Sequence, residues 1–447
     1  MRNRQVLLLV VLFAAHSALA DSMAFVNVNV IPMTGNEVLP AQTVVVDNGI
    51  IVTVGTVDDT AVPDSAYIVD GTNRYLIPGL AEMHGHVPGG GSASLERILA
   101  LYVANGVTTV RGMLGQPSHL AMRAQLASGE LLGPRLITSG PSLNGSSVAS
   151  PDAGVAMVRE QHAAGYDFLK IHPGLSREEF DAIAATANEV GIPFAGHVPE
   201  DVGLERALAA GIATIDHLDG YMQALLKPNE DVSGGLSGFF GVFLADMTDE
   251  SMIGSIARAT AEAGVWNVPT ESLFEHVTAP DVSPDVLADR DEMKYMPPDN
   301  VAEWHRAKSD LLADTSYVPS TAVRAIEVRQ QLILALHEAG AGLLLGSDSP
   351  QIFNVPGFAL HHELDFIVQA GLTPLEALKT GTINAARFFG LDDQFGSVRE
   401  GLQADLVLLD ADPLSAIGNT RRIHGVMLKG RWLSRTDLDD LLAGFEH

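Results

Sequence analysis

Eight short apolar runs punctuate the chain, and each gives way to polar or turn-forming residues at its C-terminal end: "YLIPGLAEMHGH", "GVTTVRGM", "GPRLITSG", "YDFLKIHPG", "IPFAGHVPE", "IATIDHLDG", "GVWNVPTES" and "GLLLGSDSP". Stretches with helical patterning separate them. Near-continuous apolar runs of strand length need cover on both faces, which parallel strands with crossover helices provide. The pattern predicts an α/β fold, a (β/α)8 TIM barrel, with its chemistry at the C-terminal strand ends. A chain of 447 residues, 47% of them hydrophobic, can bury a core of that size and a second module besides.

That second module is read from the flanks. "MAFVNVNVIPMTGNEVLPAQTVVVDNGIIVTVG" and "GSVREGLQADLVLLDADPLSAIGNTRRIHGVMLKGRWLS" show short alternating runs broken by Gly, Asn and Pro, the texture of antiparallel strands. They predict a small β-sandwich domain built from both chain ends. The expected division is 1–20 signal peptide, 21–78 N-terminal part of the sandwich, 79–390 barrel, and 391–447 C-terminal part and tail. Long insertions follow the sixth and seventh runs, at 221–264 and about 274–340, where lids or substrate walls are expected. For Tyr295, Trp304, His305 and Arg306 in the second insertion, helix or surface packing is favoured over substrate contact.

The first twenty residues, "MRNRQVLLLVVLFAAHSALA", join a basic start, a short apolar stretch and small residues at the cleavage positions. They predict export to the periplasm or beyond the cell, with no stable membrane anchor after processing. The absence of cysteine excludes disulfides, thiolate ligands and a cysteine nucleophile. Removing Arg2 and Arg4 with this segment moves the formal charge from -28 to -30. So acidic a surface repels nucleic acid and anionic lipid, which leaves a small molecule as the expected partner. A homo-oligomer stays open.

His84 and His86 stand one residue apart at the end of the first run, so strand alternation sends both to one side. Lys170 ends the fourth run, His197 the fifth, His217 the sixth and Asp348 the eighth. Singly, each has an ordinary explanation as a surface lysine, a core histidine or a helix cap. Jointly they gather four histidines, an acid and a lysine at one end of a single barrel. His172, two past Lys170, points to the same side and reads equally as a substrate contact, support for a metal, or packing. Tyr221 is a candidate oxyanion donor against the alternative of a loop aromatic, and Arg111 a candidate for a substrate carboxylate against a structural ion pair.

These residues resemble the pattern of the amidohydrolase superfamily: HxH on strand one, a carboxylated lysine on strand four, histidines on five and six, and aspartate on eight. The likeness spans nearly the whole mature chain. More narrowly it looks like the imidazolonepropionase-related and Xaa-Pro dipeptidase-like branch, through "PGLAEMHGH", "FLKIHPGLS", "GHVPEDVGLERALAAGIATIDHLDGY", "LTPLEALKTGTINAARFFG" and "GSVREGLQADLVLLDADPL". The resemblance implies two divalent metal ions, zinc foremost. His84, His86 and Asp348 would hold one, His197 and His217 the other, with carboxylated Lys170 as the bridge. It implies a metal-dependent amidohydrolase, of dipeptidase or carboxypeptidase kind, cleaving a carbon–nitrogen amide bond of N-acyl amino acids or dipeptide-like compounds. A metal-bridging hydroxide would attack, with Asp348 as general acid/base and His172 and Tyr221 as further catalytic candidates. The alternatives are a mononuclear deaminase or cyclic amide or lactone hydrolase, and a non-catalytic metal-binding protein. Two departures from the superfamily pattern stand out: Glu82 before the HxH, where aspartate is common, and Ser347 before Asp348, where threonine is frequent.

Overall fold

In the computed structural model, the described residues are 22–447 apart from 37, 93, 229 and 231–236. The expected signal peptide, 1–20, lies outside them. The N-terminal region forms β1 (Ser22–Val30), β2 (Leu39–Asp47), β3 (Ile50–Thr56), β4 (Tyr67–Asp70) and β5 (Tyr75–Pro78). The eight apolar runs then supply β6 (Leu80–Gly85), β7 (Val107–Gly112), β8 (Arg135–Thr138), β9 (Leu169–Ile171), β10 (Phe194–Gly196), β11 (Thr214–Asp216), β12 (Trp266–Val268) and β13 (Gly342–Leu343). The chain closes with β14 (Leu406–Leu409), β15 (Ile423–Leu428) and β16 (Arg431–Ser434).

The middle eight strands pair in parallel, as a three-stranded sheet β6-β7-β8 and a five-stranded sheet β9 to β13. Single parallel bridges join their margins, Ser139 with Phe168 on one side and Gly85 with Ser349 on the other. This is a TIM-barrel-like α/β fold. Every residue of β6, β7, β9, β10 and β11 is buried, as strands covered on both faces must be.

The helices between these strands begin and end where their sequences dictate. Ser176 and Glu179 form a reciprocal capping box at the start of the helix Arg177–Val190, and Gly191 ends it in the left-handed region at φ 78°. Ser150 caps Pro151–Ala164, with Pro151 in the first turn and Gly165 at φ 84° beyond its end. Each such N-cap contributes about 1 kcal/mol, but tertiary burial contributes more: Phe180, Ile183 and Ala187 are sealed from solvent, with Phe180 edge-on to Phe194 of β10 and Ile183 against Gly154 of the preceding helix.

Both chain ends meet in one hydrogen-bonded sheet, ordered β16-β15-β14-β5-β1-β2-β3 with β4 paired to β1. The join is antiparallel, with Leu406 opposite Pro78 and Leu409 opposite Tyr75. Phe25, Val44, Leu76, Leu406 and Met427 form its core, and Phe25 meets Trp432 edge to face at 5.3 Å. Only Gly79 separates β5 from β6, so this sheet fixes the direction of the strand that carries His84. Among the described residues, no helix is long and apolar enough to cross a membrane.

The insertion at 221–264 contains the short helix Tyr221–Ala224, a 3-10 segment Phe239–Met247 and the helix Ile253–Glu262. In the second insertion Tyr295 stacks on Phe358 at 5.7 Å and Trp304 packs edge-on to Phe353 at 6.2 Å, both buried. His305 Nε2 lies 2.8 Å from Asp285, and Arg306 is exposed. The packing reading accounts for this stretch.

Candidate metal centre and active site

His84 is buried on β6, and its two ring nitrogens face different acids. Nδ1 lies 2.9 Å from Asp216 Oδ2, while Nε2 lies 3.5 Å from Asp348 Oδ1. His86 Nε2 is 2.6 Å from the same Asp348 oxygen. His84, His86 and Asp348 each offer a ligand atom within 4.8 Å of the others, a candidate metal site with two nitrogens and one oxygen. Asp348 reaches this point because its backbone takes a left-handed turn at φ 58° while its N–H donates to the His84 carbonyl (2.8 Å).

The two departures in the sequence prove to be partners. Glu82 accepts hydrogen bonds from the Ser347 N–H (2.8 Å), the Ser347 hydroxyl and the His84 N–H (3.0 Å), tying the first barrel strand to the segment after the eighth. Burial pushes the Glu82 carboxyl up to about 8, against the pull of its Ser347 bonds.

The remaining histidines form a contiguous array. His84 and His217 have ring centres 4.5 Å apart, His217 and His197 4.7 Å, and His197 and His172 5.0 Å. His197 Nδ1 is held by Asp219 (3.1 Å) and His217 Nδ1 by Thr270 Oγ1 (2.8 Å), so each keeps Nε2 for another task. Burial drives the pKa of His84 and His217 well down, with neighbouring cationic groups adding to it, so both are neutral imidazoles. A metal ligand must be neutral imidazole.

Lys170 lies among them, wholly buried, with no hydrogen-bond partner at Nζ; its nearest acid is Asp216 Oδ2 at 4.0 Å. Burial lowers its pKa to about 8, opposed by Asp216 and Asp348. An orphaned buried amine costs about 1–3 kcal/mol or more, and this one is close enough to act on His84, His172 and His217. Gly196, at φ 125°, permits the close approach: a side chain there would meet Ile171 O at 2.5 Å and Lys170 Cδ at 3.0 Å. The donor set, an unsatisfied amine among neutral imidazoles and carboxylates, fits divalent metal binding.

Tyr221, expected as a catalytic candidate, and Arg111, left open between a substrate contact and an ion pair, are both held in buried structural contacts. Tyr221 is fully buried with its hydroxyl bonded to Asn267 Oδ1 (2.7 Å) and Thr260 Oγ1 (3.0 Å), so it joins a helix to β12 instead of serving as an oxyanion donor. Arg111 is equally committed. Its Nε donates to the Met83 carbonyl (2.5 Å), Nη1 to Thr214 (3.1 Å) and Nη2 to Asp216 (3.1 Å), which makes it a buried ion pair and no receptor for a substrate carboxylate. His172, by contrast, lies in the array, half-buried, with Nδ1 fixed 2.9 Å from Ser142 Oγ. Burial, with Lys170 and His197, lowers its pKa to about 3.

Sequence reasoning missed Asp216, Asp219, Thr270 and Phe240. Asp216 precedes His217, and alternation would send the two to opposite faces. His217 and the following Leu218 instead adopt positive φ, 64° and 51°, which breaks the alternation and lets both side chains serve one site. The signal was the doubled acid in "IDHLD". Thr270, at the start of the helix Glu271–Thr278, and Phe240, in the 3-10 segment of the first insertion, carry none.

Comparison with known proteins agrees with this geometry. Ochratoxinase from Aspergillus niger is 25% identical over 373 residues, covering 76% of this chain and 71% of that protein. Imidazolonepropionase from Idiomarina loihiensis is 22% identical over 410 residues, 86% of this chain and 90% of its own length. The crystal structure of a Xaa-Pro dipeptidase with methionine bound in its active site has the same fold, with a TM-score of 0.65 at 19% identity, covering 92% of this chain and 100% of the other. The expected branch likeness is met in these relatives. The model of the amidohydrolase family matches residues 75–433, from β5 to β16 and through every histidine described above; the chain therefore belongs to the amidohydrolase family and is a hydrolytic enzyme acting on carbon–nitrogen bonds.

Proposed function

We propose that the chain is an exported, metal-dependent amidohydrolase that cleaves the amide bond of N-acyl amino acids or dipeptide-like small molecules. The observation that carries this is Lys170, a buried amine without a partner, flanked by neutral histidines and by the His84, His86 and Asp348 cluster. His84, His86 and Asp348 would hold one divalent ion and His197 and His217 the other, with carboxylated Lys170 between them; the imidazole-rich set favours zinc. Such ions supply Lewis acidity and a nucleophile drawn from water at neutral pH. Asp348 takes the proton of the attacking water and delivers it to the leaving nitrogen; its carboxylate, buried and shared between two histidines, supports this acid/base role. His172, fixed through Nδ1 by Ser142, turns Nε2 toward the substrate's polar end.

The same reading takes the eight parallel strands as one (β/α)8 barrel, 79–390, and the sheet of both chain ends as a small sandwich domain. The names of the relatives, ochratoxinase, imidazolonepropionase and Xaa-Pro dipeptidase, support small amides as substrates. A second reading is a mononuclear deaminase or cyclic-amide hydrolase, favoured by the fact that, among the described residues, only His84, His86 and Asp348 converge within 4.8 Å. One experiment separates them. The mature protein is reconstituted with zinc, its metal counted per chain, and amino-acid release measured from N-acyl amino acids and Xaa-Pro dipeptides. Two ions and release from a defined subset are expected; one ion and silence on linear amides would transfer the assignment to the second reading.

A further inference from the structure

Phe240 covers the metal-side histidines with an aromatic face. Its ring stacks on His217 at 4.6 Å and 14° between planes, lies at 25° to His197 at 6.2 Å, and abuts Phe239 at 4.4 Å. Stacking engages the imidazole faces and leaves the in-plane nitrogens free, so the contact does not compete with metal ligation. The ring is held there deliberately. Phe240 sits at φ 45° and ψ 39°, a conformation that costs a bulky residue about 1–2 kcal/mol and persists only when its surroundings impose it. The surroundings do so on both sides. Gly241 follows at φ 81°, packed so tightly on Met222 that a side chain would come within 2.7 Å of it. Val242, Leu244 and Ala245 are then fully buried, and Arg324 on the helix Pro319–Glu338 donates to the Ala245 carbonyl (3.0 Å). Phe240 and Phe239 themselves remain partly exposed. The other neighbours of the array are polar: His172, whose ring centre lies 5.0 Å from that of His197 and whose Nδ1 is 2.9 Å from Ser142 Oγ, and Gln351, whose Nε2 lies 3.5 Å from Asp348 Oδ1.

From this asymmetry we propose that Phe240 is the specificity-determining residue of the site, selecting amides that carry an aromatic or other broad apolar group beside the scissile bond. The inference rests on the amide-hydrolase reading above and names the substrate class within it. The substrate lies with its polar end toward His172 and its apolar group flat against Phe240 and Phe239. A small or charged group at that position leaves the aromatic face uncovered or loses its own hydration without compensation.

The test compares N-acetyl-phenylalanine with N-acetyl-alanine, and N-benzoyl-alanine with N-acetyl-alanine, on the zinc-loaded wild type, Phe240→Ala and Phe240→Leu. Wild type should favour the aromatic member of at least one pair by tenfold or more in kcat/KM, the scale on which apolar pockets discriminate. Phe240→Ala should cut that ratio at least fivefold, with Phe240→Leu between them. Calorimetric Kd values for the same compounds give the ratio again without any need for turnover. A preference that survives Phe240→Ala in both readouts, or is absent from wild type in both, overturns the assignment. Altered binding without hydrolysis would uphold Phe240 and overturn the amide-hydrolase reading instead.

Discussion

Replacing Asp216 by asparagine should weaken metal binding without touching a proposed ligand. Asp216 is wholly buried, with one oxygen 2.9 Å from His84 Nδ1 and the other accepting from Arg111 Nη2 (3.1 Å) and the Thr214 hydroxyl (2.7 Å). Burial raises its carboxyl pKa, but Arg111, then Lys170 and His217, outweigh this and hold it below the ordinary value, so it is an anion at neutral pH. An anion facing Nδ1 keeps a proton on that nitrogen and leaves Nε2, which faces His86 and Asp348, as a lone pair. Asparagine matches the shape but not the charge. If its oxygen stays with Arg111 and Thr214, its amide N–H faces Nδ1, the proton moves to Nε2, and His84 can no longer ligate.

Loss of such a supporting contact typically lowers metal affinity about 10- to 100-fold, or roughly 1.4–2.7 kcal/mol. Asp216→Ala goes further, because Arg111 is left buried without its anion, a change that costs about 3–5 kcal/mol in comparable pairs. The assay is zinc titration against a chromophoric chelator for wild type and both variants, with urea melts of the metal-free proteins. Asp216→Asn should show the affinity loss with a modest stability change, and Asp216→Ala should show both losses in full. An Asp216→Asn protein that binds zinc within twofold of wild type would refute the reasoning, since His84 would then hold its tautomer unaided.

Lys170→Ala should lower metal content and reduce hydrolysis by at least 100-fold, and added short-chain carboxylic acids should restore part of both; unchanged metal and rate would end the bridging role. Tyr221→Phe should leave kcat/KM within about threefold while lowering stability by about 1 kcal/mol, because its hydroxyl serves only Asn267 and Thr260; a loss of 100-fold in rate with an intact fold would reinstate it. Glu363 is buried, accepts the Glu271 and Ser272 N–H groups, and has its pKa raised to about 7 chiefly by that burial. Its folded form therefore holds a proton that the unfolded chain has already lost, so stability falls as pH rises from about 4.5 through about 7. Glu363→Gln should flatten the difference between urea melts at pH 5 and pH 8, and an unchanged difference would contradict the assignment.

How much of this was legible in the sequence follows from periodicity. The parallel strands were readable because burial on both faces demands apolar runs, and the ligand candidates because they stand where those runs end. Tyr221 and Arg111 could be named but not aimed. A tyrosine after a strand faces either the mouth of the barrel or the helix layer, and only the positions of Thr260 and Asn267 decide which. Arg111 depended on Asp216, and Asp216 was hidden by the turn at His217 that reverses the expected facing. Glu82 and Ser347 looked like separate departures because nothing in a sequence says that residues 82 and 347 touch. Positive-φ residues and long-range polar pairs are set by tertiary packing, which leaves no period to read.

The buried charges give a reason why metal uptake and modification of Lys170 should depend on each other. Fully buried Arg111 and Lys170 stand against Asp216, Asp348 and the Asp219 beside His197, so with Lys170 protonated the centre carries one net negative charge. This arrangement leaves Lys170 Nζ with no hydrogen bond. Conversion of the amine to a carbamate would replace one positive charge by one negative, and the centre would carry three uncompensated negative charges, most of them buried. Such an excess is prohibitive alone and strongly attractive to divalent cations. Ions entering the unmodified site would conversely meet an ammonium group among their ligands. Neither change is favourable by itself, whereas both together are. Zinc reconstitution should therefore accelerate with added bicarbonate in the wild type and show no bicarbonate dependence in Lys170→Ala; equal rates with and without bicarbonate in the wild type would break the coupling.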